Sequence, residues 1–145
     1  MGKQTKVEAD PEELDKFQHF LFEMDDVLDD FLVEAGTAGY QLDFSLDSIP
    51  LLEAYLLSHL GNKEVSRLKN KAARYLGEVF RKNVGGKWEL CLKDPKYLYY
   101  KLPVIAGYSD KPIEFCPVDV IENFASKKGD GMLRRTIDAH LAFKK

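Results

Sequence analysis

From Leu14 to Ala35 the apolar residues fall alternately three and four positions apart: Leu14, Phe17, Leu21, Met24, Leu28, Phe31 and Ala35. Side chains at that interval share one face of an α-helix, so the pattern reads as a single buried stripe. Asp10 is placed to cap the first turn, Pro11 sits where its missing N–H costs nothing, and Gly36-Thr37-Ala38-Gly39 stops the run. The sequence therefore predicts one continuous amphipathic helix over residues 11–36, with residues 1–10 as a flexible lead-in. After a short extended piece, Ser45 to Ser48 offers capping oxygens, and Pro50 fits the first turn of a second helix that closes at Gly61. Leu51, Leu52, Ala54, Tyr55, Leu56, Leu57 and Leu60 surround that helix almost completely, so it is expected to lie centrally. A third helix follows from about Lys63 to Asn83, with Val65, Leu68, Ala72, Tyr75, Leu76 and Val79 on one side, and Gly85-Gly86 halts it. Residues 45–84 thus form a helical pair.

The period then changes from helical to alternating. Trp88, Leu90 and Leu92 alternate with Lys87, Glu89 and Cys91, and Asp94-Pro95-Lys96 turns the chain into a second strand, Tyr97 to Ala106. Ser109-Asp110-Lys111-Pro112 makes a further turn, and Ile113 to Cys116 reads as a third strand. Residues 87–116 are accordingly expected to form a three-stranded antiparallel sheet. Pro117 opens a helix carrying Val120, Ile121 and Phe124, and a last helix follows Gly129-Asp130-Gly131, so residues 117–143 are C-terminal helices. The fold class is α+β: N-terminal helices packed on a small sheet, with further helices after it.

With 145 residues, 45% of them hydrophobic, the chain is sized for one domain with a real core. Its net charge of -3 does not suit an electrostatically driven nucleic-acid binder. No apolar run of signal-peptide type occupies the N-terminus and none of membrane-spanning length follows, so a cytoplasmic location without a membrane partner is expected. The charge is nevertheless unevenly spread. Residues 1–60 hold three Lys against fourteen Asp and Glu, whereas residues 61–145 hold eighteen Lys and Arg against ten acids. On the first helix Asp26 and Asp30 belong to an acidic arc; on the third, Arg67, Lys71, Arg74, Arg81 and Lys82 lie on a basic arc. One of these faces is expected to recruit a charged protein partner, a second copy of the chain included, since lobes of one sign speed association and reject wrongly charged partners. Ala73 and Gly77, four apart on the third helix, mark a place where another element of this domain or a second chain packs closely.

The residues that resemble catalytic signatures each lack a required part. Asp25-Asp26-Val27-Leu28-Asp29 matches the DDxxD pattern that holds Mg²⁺ and diphosphate in prenyl-diphosphate enzymes, but no second metal-binding motif accompanies it. His19, His59 and His140 are scattered, Cys91 and Cys116 stand apart without CxxC spacing, and no GxSxG elbow or P-loop occurs. No cofactor, metal or catalytic residue is therefore assigned, and the two cysteines are expected to pack in the interior. Tyr97, Tyr99 and Lys101 would share one strand face, an arrangement that can stack bases, without the RNP-type consensus. Glu53, on the nearly all-apolar second helix, is the carboxylate expected to be buried; with Glu78 it defines the alternative reading, a small-molecule-binding protein or an enzyme with an acid in a pocket.

Tyr75-Leu76-Gly77-Glu78-Val79-Phe80, followed by Gly85-Gly86-Lys87-Trp88, resembles a pattern of small, uncharacterised bacterial α+β domains: a YLGEV helix, a glycine turn and a Trp-bearing strand. The run FCPVDVIENF, Phe115 to Phe124, is similar to the strand-to-helix turn that closes such domains. The likeness spans about residues 40–125 and leaves out the acidic first helix. It implies an architecture and, by analogy, a non-enzymatic immunity or accessory protein that neutralises a partner; it brings no site residues with it.

Overall fold

The computed structural model describes residues 10–92 and 94–145. Most of the lead-in expected at residues 1–10 lies outside them. The elements run α1 (Pro11–Phe22), α2 (Met24–Thr37), α3 (Ile49–Leu57), α4 (Val65–Asn83), β1 (Lys87–Leu90), β2 (Pro103–Ala106), α5 (Pro117–Lys127) and α6 (Met132–Leu141), with a single 3₁₀ turn at Leu46–Ser48 before α3. The class is α+β, with six helices and a two-stranded antiparallel sheet among the described residues.

The expected helix over residues 11–36 starts as its sequence dictates, with Asp10 Oδ1 accepting from the Glu12 N–H at 3.0 Å and Pro11 in the first turn. It breaks at Glu23. In an unbroken helix the Phe20 carbonyl would accept from the Met24 N–H; here it accepts from Arg74 Nη1 at 2.6 Å, while the Arg74 guanidinium lies 4.2 Å from the centre of the Phe20 ring. A side chain inserted into the hydrogen-bond ladder is a recognised cause of a kink, and this one comes from α4. Met24, Leu28, Phe31 and Ala35 then bury along α2, whereas α1 buries no residue fully.

The central element is α4 rather than α3. Every residue from Ala72 to Phe80 is buried, enclosed by α2, α3, α5 and β2, while Leu51 and Leu57 of α3 remain exposed. The difference arises from Gly77. A Cβ there would stand 2.2 Å from Trp88 Cζ2 and 3.2 Å from Pro117 Cγ, so the indole of β1 lies directly on the helix backbone. The close approach anticipated at Ala73 and Gly77 is thus made within this domain, by β1 and α5. Phe80 continues the core by stacking on Phe115, with ring centres 4.1 Å apart and planes 10° from parallel.

The sheet has two strands, not three. β1 and β2 pair in register from Lys87 with Ala106 to Leu90 with Pro103. The expected third strand keeps only the reciprocal pair of bonds between Ile105 and Phe115, at 2.8 and 2.9 Å. Four residues between Pro112 and Pro117, both without an N–H, are too few to extend a ladder. The second strand is also shorter than expected. Residues 94–102 close as consecutive turns, through Tyr97 N–H to Asp94 O at 2.8 Å, Tyr100 N–H to Tyr97 O at 3.0 Å and Leu102 N–H to Tyr99 O at 2.9 Å. Tyr97, Tyr99 and Lys101 therefore do not share a strand face, and Lys101 takes a left-handed φ of 68°.

Candidate functional site

The basic positions of α4 are largely satisfied within the chain. Arg74, expected on an exposed basic face, is only 6% exposed; burial pulls its guanidinium below the ordinary arginine range, with the Glu23 charge opposing. It lies beneath the α1–α2 junction and is out of reach of a partner. Lys71 Nζ donates to both oxygens of Glu34, at 2.8 and 3.0 Å, tying α4 to the end of α2. Arg81 Nη1 donates to both oxygens of Glu78, at 3.0 and 2.8 Å, and Lys69 pairs with Glu122 of α5 at 2.9 Å. Arg67 pairs with Glu64 one turn away at 3.2 Å and stays on the surface.

The two candidate carboxylates are equally committed. Glu53 is buried, and its oxygens accept from the Gly131 N–H at 2.9 Å and the Leu133 N–H at 2.8 Å. Those are free donors at the start of α6, where Gly131 supplies a left-handed φ of 74° and no side-chain cap of its own, so Glu53 is the cap. Glu78 accepts from Trp88 Nε1 at 2.7 Å besides Arg81. It borders a surface depression of about 300 Å³ with Leu21, Met24, Asp25, Arg81 and Trp88, but both oxygens already have donors. Among the described residues no group of three His, Cys, Asp or Glu side chains is placed to hold a metal ion. Cys91 and Cys116 are buried with Val104 as expected, and burial pushes the Cys116 thiol up to about 11. No helix among the described residues is long and apolar enough to cross a membrane.

The acidic arc is arranged differently. At about 100° per residue, Asp26, Asp29 and Val33 fall within roughly 60° of one another, opposite the buried stripe of α2, Asp30 borders them, and Phe22 precedes them as the last residue of α1. All five are exposed, Phe22 at 85% and Val33 at 68%. No ion pair engages Asp25, Asp26, Asp29 or Asp30 among the described residues. Asp25 and Asp26 sit in the first turn of α2, where the helix dipole favours acids, but Asp29 and Asp30 lie a turn further on and each repels its counterpart four residues earlier. Sequence reading found the acidic members of this face. It missed Phe22 and Val33, whose signal is their place outside the three-four stripe. Comparison of the chain with protein-family models, with curated proteins and with solved structures finds no match in any of the three.

Proposed function

We propose that the chain is a non-enzymatic protein-binding module, of the immunity or accessory kind, that meets a basic partner protein through the outer face of α2. The observation that carries this reading is the asymmetry of pairing: Arg67, Lys71, Arg74 and Arg81 of α4 have hydrogen-bond or ion-pair partners inside the chain, whereas Asp25, Asp26, Asp29 and Asp30 have no ion pair among the described residues. Four carboxylates within two turns create a negative lobe that speeds encounter with a positive surface and turns away acidic ones. Phe22, at the end of α1, and Val33, on α2, flank the acidic patch in sequence and supply exposed apolar area. Exposed aromatic side chains of this kind are frequent anchors of protein interfaces. The full chain, immobilised, is expected to capture a partner from the lysate of its source cells at low salt and release it at high salt. Asp26→Lys with Asp30→Lys abolishes capture, while Arg67→Glu retains it. Equal capture by the double variant, or no captured protein at all, removes this reading.

A further inference from the structure

A second feature lies around the corner from the acidic face, where the end of α2, the end of α3 and the first turns of α4 enclose a cavity of about 190 Å³. That is smaller than the roughly 300–1,000 Å³ of sites for drug-sized ligands, which limits an occupant to the size of a single small metabolite. Tyr55 and Leu68 contribute its apolar surface, and His59 and Asn62 line it further. The charged lining is balanced: Glu34 and Glu64 against Arg67 and Lys71.

Two side chains of the lining offer hydrogen bonds to an occupant. Tyr55 is 5% exposed, and its hydroxyl, which has no hydrogen-bond partner among the described residues, is not sealed from solvent. Burial, and then the Glu34 charge, raises its pKa, so the phenol keeps its proton and remains a donor. The hydroxyl is therefore a donor that a ligand entering the cavity can take over from water. His59 is the second. Ser58 Oγ donates to the Tyr55 carbonyl at 2.7 Å, so it accepts from His59 Nδ1 at 2.8 Å, and the same Nδ1 stands 3.1 Å from that carbonyl, which can only accept. Nδ1 therefore carries the proton, and in the neutral ring Nε2 is left as an acceptor.

The charges decide the class of occupant. A purely anionic ligand would meet two carboxylates and a purely cationic one two cations; a molecule carrying both charges meets neither conflict. The pair that must open to admit it is Arg67–Glu64, whose side chains are 72% and 66% exposed, and exposed pairs of this type hold weakly. Lys71 stays bound to Glu34 as the wall behind. We propose that this cavity binds an amino-acid-like zwitterion, with its carboxylate on Arg67, its ammonium on Glu64, and its remaining atoms against Leu68 and Tyr55, within reach of the Tyr55 hydroxyl and His59.

The test is a titration of the isotope-labelled full chain with each standard free amino acid at millimolar concentration, followed by NMR, and then with the N-acetyl and carboxamide derivatives of whichever binds. At least one amino acid is expected to shift the signals of Tyr55, His59, Asn62 and Arg67 together, and the two singly charged derivatives to bind at least about tenfold more weakly. Arg67→Gln is expected to weaken binding by about tenfold, and Tyr55→Phe, which keeps the ring and removes only the hydroxyl, by about threefold to tenfold. Asp26→Lys, outside the cavity, leaves the affinity unchanged. Absence of shifts with every amino acid, equal binding of the singly charged derivatives, or native affinity in Arg67→Gln overturns the proposal. None of these results bears on the partner face of α2.

Discussion

The outer face of α2 and the polar positions of α4 carry charges of opposite sign at similar helical spacing, yet the first set faces solvent unpaired, whereas in the second Lys71, Arg74 and Arg81 are engaged within the molecule. Stem length accounts for the difference. Lys and Arg have three or four methylenes that lie along apolar surface while the head reaches an acceptor elsewhere; Asp has one, and its carboxylate stays where the backbone puts it. Arg74 can therefore occupy a helix position enclosed by protein and still find the Phe20 carbonyl, 54 positions away in sequence. Asp26 and Asp30 have no such option. A basic stripe is thus weak evidence for a basic surface, whereas an acidic stripe of Asp reports exposure more directly.

Breaking the inner set should cost most. Arg74→Ala removes the donor to Phe20, the cation–π contact and the packing of the stem, and is expected to lower unfolding free energy by about 2–3 kcal/mol in urea denaturation. Asp26→Lys, on the outer set, is expected to stay within about 0.5 kcal/mol of the native chain, because ending the repulsion with Asp30 offsets the loss of an acid from the first turn of α2. If the two changes cost the same, the contrast between the regions is wrong. Next comes Gly77→Ala. The gain of about 1 kcal/mol in helix propensity is outweighed by collision with the Trp88 ring, for a net loss near 2 kcal/mol in the same measurement.

The smallest effect concerns protons. Burial lowers the pKa of His140, whose Nδ1 lies 2.6 Å from the Tyr108 hydroxyl. The unfolded chain then takes up the proton first, so the stability tied to this ring is fully present above the ordinary histidine value of about 6.5 and is lost as pH falls from there through the lowered native value. Comparing unfolding curves on either side of that window, the native chain is expected to lose stability on acidification, and His140→Gln to lose less.

Local signals served well wherever an element's ends are set by its own residues. Asp10 with Pro11 opens α1, and Trp88 and Leu90 lie in a strand paired with the one that begins at Pro103. They failed where a distant side chain decides. Nothing near Glu23 announces a break, because its cause sits in the middle of α4. The nearly all-apolar composition of α3 points to a central place, but centrality belongs to the helix with Gly77, where the absence of a side chain lets an indole close on the backbone. The residue types of 113–116 favour a third strand, but the prolines that bound it leave only the Ile105–Phe115 bridge. Of the candidate face, the carboxylates are legible as a stripe, whereas the pairing that engages Lys71, Arg74 and Arg81 depends on Glu34, Phe20 and Glu78, only the last of which is local.

The bonds from Glu53 to Gly131 and Leu133 span 78 and 80 positions of sequence. Closing so long a loop carries an entropic cost that must be met before the contact returns anything. The first turn of α6 consequently has no lid until α3 is in place, and the last helix acts as a latch on an assembled body rather than a seed for it.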